Sequence, residues 1–157
     1  MRSIFANMLP HSTVALALFS FDPDCQADMQ LVFNTRVGTV VNAPVSRPDG
    51  SGAGAGVKAQ LLVVKNDGNT TPVGESTAFR TNSAAATYFV VPINITIPGI
   101  QPREKVTLRL SAWEGKDFET SALRGESENF EIINNSVANS LVGLKSFTLK
   151  PARAAAK

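Results

Sequence analysis

Between Lys105 and Ala112 the chain alternates: Val106, Leu108, Leu110 and Ala112 are apolar, while Lys105, Thr107, Arg109 and Ser111 are polar. A period of two belongs to a strand with one face on a core and the other on water, so this segment is expected to be a central strand. Trp113 falls on the polar phase. An indole there either covers the sheet under a loop or projects as a platform on which a ligand stacks, and the covering role is the commoner use of a large aromatic. Val57 to Lys65 begins with the same alternation and ends in a β-branched run, which predicts a second strand with one buried face. Asn66-Asp67-Gly68-Asn69 closes it with turn chemistry, since Gly68 is free to adopt positive φ.

Elsewhere the signal is shorter. Gln30 to Val41 reads as a strand with an irregularity near Gly38, and Ser76 to Arg80 as a short strand. Thr87–Val91 and Ile93–Ile97 read as strands divided by Pro92, which cannot donate to a ladder and therefore marks an edge or a change of sheet. Phe130–Ile133 is a further strand, Asn134-Asn135-Ser136 a turn, and Leu141–Leu149 a last apolar segment. The prolines and glycines of Ala43–Gly56 predict a loop without regular structure, and Lys116–Gly125 a single helical turn or a long loop. Seven to eight short strands without an amphipathic helix of useful length imply an all-β, two-sheet antiparallel sandwich.

The first residues change the expected location. Arg2, the apolar run Val14–Phe21 and then Cys25-Gln26-Ala27 follow the order of a secretory leader, which predicts a signal peptide over 1–27 cleaved after Ala27. The competing reading is a buried first strand or helix, because Pro10 and His11 interrupt the apolar region and Asp22 and Asp24 crowd the cut site. The run is too short to cross a bilayer as a helix, so no transmembrane segment is expected. This leaves one β-domain over 28–150, a frayed tail over 151–157, and a secreted or cell-envelope location.

Composition narrows the chemistry. With 15 basic and 13 acidic residues scattered along 157, the net charge of +2 offers no patch for a phosphate backbone, and nucleic acid is excluded as a partner. Cys25 is the only cysteine and His11 the only histidine, and both fall in the expected leader. A mature chain would then have no thiol catalysis, no disulfide and no Ser-His-Asp triad. The glycines of Ala43–Gly56 lack the Gly-Lys-Ser/Thr of a phosphate cradle, and a strand follows them instead of a helix. No catalytic residue and no cofactor is expected.

Two weaker constellations remain. Glu114, Asp117 and Glu119, with Glu126 and Glu128, could gather at one end of the sandwich and offer oxygen ligands to calcium, although Lys116 sits among them and such charges more often form a solvated rim. Asp67-Gly68-Asn69 is a smaller oxygen cluster whose plain reading is a tight turn. Trp113, Tyr88 and Phe118 are the candidate ligand-binding aromatics.

Ile97-Pro98-Gly99-Ile100-Gln101-Pro102, the alternating strand into Ala112-Trp113-Glu114-Gly115, and Gly125-Glu126-Ser127-Glu128 resemble the late strands of fibronectin type III and immunoglobulin-like domains, with Val106 where that family carries a core tyrosine. Over nearly the whole body the chain is also similar to an uncharacterised domain of exported bacterial proteins. The shared features are Phe33-Asn34-Thr35-Arg36-Val37, the Ala43–Gly50 loop, Ala59-Gln60-Leu61, Phe79-Arg80-Thr81, the Ile-Pro-Gly turn, Ala112-Trp113-Glu114 and Leu141–Leu149. The resemblance implies export and an immunoglobulin-like sandwich, and it implies no ligand. Two function classes follow: a non-catalytic structural or adhesive module whose partner is another envelope protein or a polysaccharide, or a carbohydrate-binding module built on an exposed Trp113. Exposure of that ring beside Tyr88 or Phe118 would favour sugar binding, and a covered ring would disfavour it.

Overall fold

A computed structural model describes residues 27–152 except Ser136 and Ala138. The expected leader, apart from Ala27, and the tail beyond Ala152 lie outside the described residues. The described chain forms β1 (Met29–Phe33), β2 (Arg36–Val37), β3 (Val41–Asn42), β4 (Val45–Ser46), β5 (Val57–Val64), β6 (Thr70–Ala78), β7 (Ile93–Ile97), β8 (Lys105–Glu114), β9 (Leu123–Glu126), β10 (Phe130–Ile133), β11 (Phe147–Thr148) and β12 (Lys150–Pro151), with one 3-10 turn at Ala84–Ala86. Seven of these, β1 and β5 to β10, are four residues or longer, which matches the strand number read from the pattern.

The alternating segment is the centre of the larger sheet. Leu108 pairs with Val63 of β5 and also with Phe130 of β10, and Ser111 pairs with both Gln60 of β5 and Glu126 of β9, so β5 lies on one flank of β8 and β9 and β10 follow each other on the other. β6 extends the sheet beyond β5, and β12 extends it beyond β9. Val106, Leu108, Leu110 and Ala112 are all buried, as their phase requires. Full burial of a leucine stabilises the fold by roughly 1.5–3 kcal/mol.

The second layer is the antiparallel pair β1–β7, with Leu31 opposite Ile95 and Met29 opposite Ile97. Met29, Leu31, Phe33, Ile95 and Ile97 join Leu61, Leu108, Leu110, Phe130 and Ile132 in one buried cluster, so apolar faces from two sheets meet in a single core. The fold is all-β, built mainly of antiparallel pairs, and of the sandwich class. Gly74 permits the approach of β6 to β7: its φ is +64°, and a Cβ there would stand 2.9 Å from Ile95 Cγ1.

Several local expectations are corrected. The strand expected over Gln30–Val41 is divided into β1 and the β2–β3 hairpin, whose turn uses Gly38 at φ +49°. Ala43–Gly56 is not wholly irregular, because Val45 and Ser46 pair in parallel with Phe147 and Thr148 and a bridge joins Ser46 to Gly52. Thr87–Val91 is not a strand. Ser83 caps the 3-10 turn through its side-chain oxygen, Thr87 Oγ1 donates to Ala84 O, and only Val90 bridges to a strand-like neighbour, Phe79.

Strand β6 begins at Thr70, six residues before the segment expected from Ser76. Leu123–Gly125, expected within a loop or helical turn, belongs to β9. In the tail, Pro151 pairs with Leu123, and the Ala152 amide donates to Ala122 O. Among the described residues no helix is long and apolar enough to cross a membrane.

Candidate functional site

The outer face of the β9–β8–β5–β6 sheet carries the candidate site. Cross-strand register sets two rows there, Arg124–Trp113–Lys58 and Glu126–Ser111–Gln60. Alternation alone would leave Ser111 and Trp113 to water, yet both are buried, with Trp113 only 8% exposed. For Trp113 the cause is the loop from Gly115 to Ala122, which brings Phe118 against the indole edge to face, with ring centroids 6.1 Å apart and planes at 84°.

That loop is held from beneath. Arg124 Nη1 donates to Phe118 O at 2.7 Å and to Glu119 O at 2.9 Å, and its guanidinium lies 5.0 Å over the Phe118 ring. Ser121 Oγ accepts from the Glu114 amide, which fastens the return of the loop to the end of β8. The Asp117 carboxylate accepts from the hydroxyl and the backbone N–H of Thr120. Those two bonds, the hydroxyl first, hold its carboxyl below the ordinary value of 3.8.

Beside the loop lies an open groove of about 400 Å³. Trp113, Phe118, Leu62 and Pro72 give it apolar surface, while Gln60, Thr70 and Ser111 from the strands and Lys116, Asp117, Glu119 and Glu126 around it supply polar groups. Trp113 Nε1 is buried and has no hydrogen-bond partner among the described residues. An unmatched buried donor of this kind costs roughly 1–3 kcal/mol.

The three candidate aromatics are divided. Trp113 and Phe118 meet, whereas Tyr88 lines a separate hollow with Pro44, Gly50 and Phe147, where its hydroxyl donates to Gly50 O at 2.8 Å. The candidate calcium ligands are not brought together: Glu114 accepts from Arg47 at 2.7 Å, Asp117 serves Thr120, and Glu119 lies 3.7 Å from Arg124. Glu126 pairs with Arg109 and Glu128 with Lys145. Among the described residues no group of three or more acidic, histidine or cysteine side chains is placed to hold a metal ion.

Asp67 and Asp49 behave as Asp117 does. The backbone N–H and side-chain amide of Asn69 lower Asp67, and the hydroxyl and backbone N–H of Ser51 lower Asp49. Asp67-Gly68-Asn69 is thus a tight turn at the tip of the β5–β6 hairpin.

The arginines that organise this face were not legible in advance. Arg47 and Arg109 each reach a carboxylate distant in sequence, whereas Arg124 turns back to Glu119 in the loop just before its own strand, and only the folded chain shows these pairings. No protein-family model matches the chain, and no curated protein or solved structure matches it.

Proposed function

We propose that this chain is an exported, non-catalytic structural or adhesive module of the immunoglobulin and fibronectin type III kind, working at the cell envelope or outside it. One observation carries the reading: the charged side chains around the candidate face fasten loops to strands. Arg47–Glu114 and Arg124–Glu119 are cross-links of this kind, Arg109–Glu126 ties strand β8 to strand β9, and Asp49, Asp67 and Asp117 are each held ionised by their own turns. A general acid or base working near neutrality needs its pKa moved the other way, towards 7. Export rests on the expected leader, and the immunoglobulin-like likeness on the Ile97–Glu128 segment.

The test is retention of the purified chain on envelope fractions and on matrix polysaccharide. Saturable retention without chemical change in the material supports the reading. No retention on either, or turnover of the material, contradicts it.

Carbohydrate binding is a second reading: the covered Trp113 ring counts against it, and the groove beside that ring is what favours it. The covered indole cannot offer an open stacking face, so a sugar would have to meet Phe118 and the strand residues instead.

A further inference from the structure

We infer that the groove between the Gly115–Ala122 loop and strands β5, β6 and β8 binds a neutral sugar unit, with Phe118 as the contact ring and Trp113 as its support. The inference rests on the carbohydrate reading and makes it specific in place and in charge.

The size of the groove, about 400 Å³, falls within the range of roughly 300–1,000 Å³ used for small ligands. Its surface joins an aromatic and aliphatic side, Phe118 with Leu62 and Pro72, to hydroxyl and amide groups. A pyranose has the same division, with C–H faces and a rim of hydroxyls. The indole lines this groove, and its N–H is buried without an acceptor. A sugar hydroxyl or ring oxygen that reaches it gains a hydrogen bond that the described residues do not supply.

Charge selects among sugars. Asp117, Glu119 and Glu126 are the carboxylates of the groove, and Lys116, Arg109 and Arg124 stand beside them, two of these already paired to Glu126 and Glu119. Within the lining three carboxylates face one lysine, and the arginines paired to Glu126 and Glu119 leave no surplus cation there; Lys58, across the sheet from Trp113, is outside the lining. A uronic acid or a sulfated sugar would bring its charge to a site that offers no net compensation and would place it against the ionised Asp117. A neutral unit meets acceptors and donors alternately and breaks no ion pair.

The chain contains a single tryptophan, so its fluorescence reports on this site alone. The experiment titrates the purified chain with cello-, xylo-, manno- and galacto-oligosaccharides and with oligogalacturonate as the anionic probe, and follows Trp113 emission together with heat of binding. At least one neutral oligosaccharide should give a saturable change in emission and bind at least tenfold more tightly than oligogalacturonate. Phe118→Leu should weaken that binding tenfold or more. Thr70→Arg, which fills the groove from an exposed strand position and leaves the loop untouched, should do the same, while Tyr88→Phe in the separate hollow should leave it unchanged.

Absence of a saturable change with every neutral member overturns the inference, as does tighter binding of the anionic probe. Binding that survives Thr70→Arg also overturns it and places any sugar elsewhere on the module, which leaves the carbohydrate reading standing. Failure of the chain to bind any glycan while it still binds envelope protein removes the carbohydrate reading itself.

Discussion

Arg47 Nη2 donates to Glu114 Oε1 at 2.7 Å, and the same guanidinium donates through Nε to Ala53 O at 3.0 Å. One side chain thus ties the glycine-rich connection between β4 and β5 to the exposed end of β8, 67 residues away in sequence. The ion pair is half-exposed and alone contributes on the order of 0–1 kcal/mol, while each hydrogen bond adds roughly 0.5–1.5. Arg47→Met should therefore cost about 1–3 kcal/mol in urea unfolding, and Glu114→Gln less than about 1 kcal/mol. Equal costs for the two would show that the backbone contacts of Arg47 carry no weight.

Burial at Leu108 is complete, and the residue is paired on both flanks. Leu108→Ala should destabilise by roughly 2–5 kcal/mol through lost burial and the cavity left behind. Leu108→Asp should prevent folding, because it places an unpaired charge in the core. Arg109→Gln, on the outer face of the same strand, should retain a cooperative thermal transition. A soluble Leu108→Asp variant with a cooperative melt would refute the strand phase.

Two glycines separate conformational need from close approach. Gly68 has φ +82° with nothing near an added Cβ, so Gly68→Ala should cost only the left-handed penalty of roughly 1–2 kcal/mol. At Gly52 an added Cβ would lie 2.7 Å from the Thr87 backbone carbonyl carbon, which cannot yield as a side-chain end can. Gly52→Ala should lower the thermal midpoint further than Gly68→Ala does. The reverse order would mean that the 46–54 loop does not press on the Ala84–Thr87 turn.

Asp49, Asp67 and Asp117 have folded-state pKa values below the ordinary 3.8. Their contribution to stability is complete above that value and is lost as pH falls through the depressed folded values. The thermal midpoint should be insensitive to these three groups near neutrality and should decline between about pH 5 and pH 2. Asp49 and Asp67 are exposed and Asp117 is partly exposed, so the loss from each should be small. Asp117→Asn keeps an acceptor for Thr120 without the charge and should shrink the acid decline. An undiminished decline in that variant would remove Asp117 from the account.

What could be read from the sequence depended on whether local pattern or distant contact governs a residue. β8 and β5 were legible because one face of each meets the core and alternation records this directly. Trp113 was placed on the polar phase correctly, but its burial depends on Phe118, which a loop carries back over the sheet. Most of β6 is exposed and interrupted by Pro72 and Gly74, so it leaves no apolar period to find. Thr87–Val91 has strand composition, yet the Ser83 cap and the Thr87 hydroxyl commit it to a turn. Glu114, Asp117 and Glu119 are close in sequence, but each found a separate partner, because a strand end and a loop aim neighbouring side chains apart.

The central claim is that β8 forms the middle of the larger sheet, bonded on both flanks, with the Gly115–Ala122 loop laid over its outer face. Residue-resolved amide hydrogen exchange tests this most directly, since amides of doubly flanked strands open last. The account predicts the slowest exchange at β8 and β5, around Leu61 and Leu110, and rapid exchange at the Asp67–Asn69 turn tip. Amides of β8 exchanging as fast as that turn would contradict it.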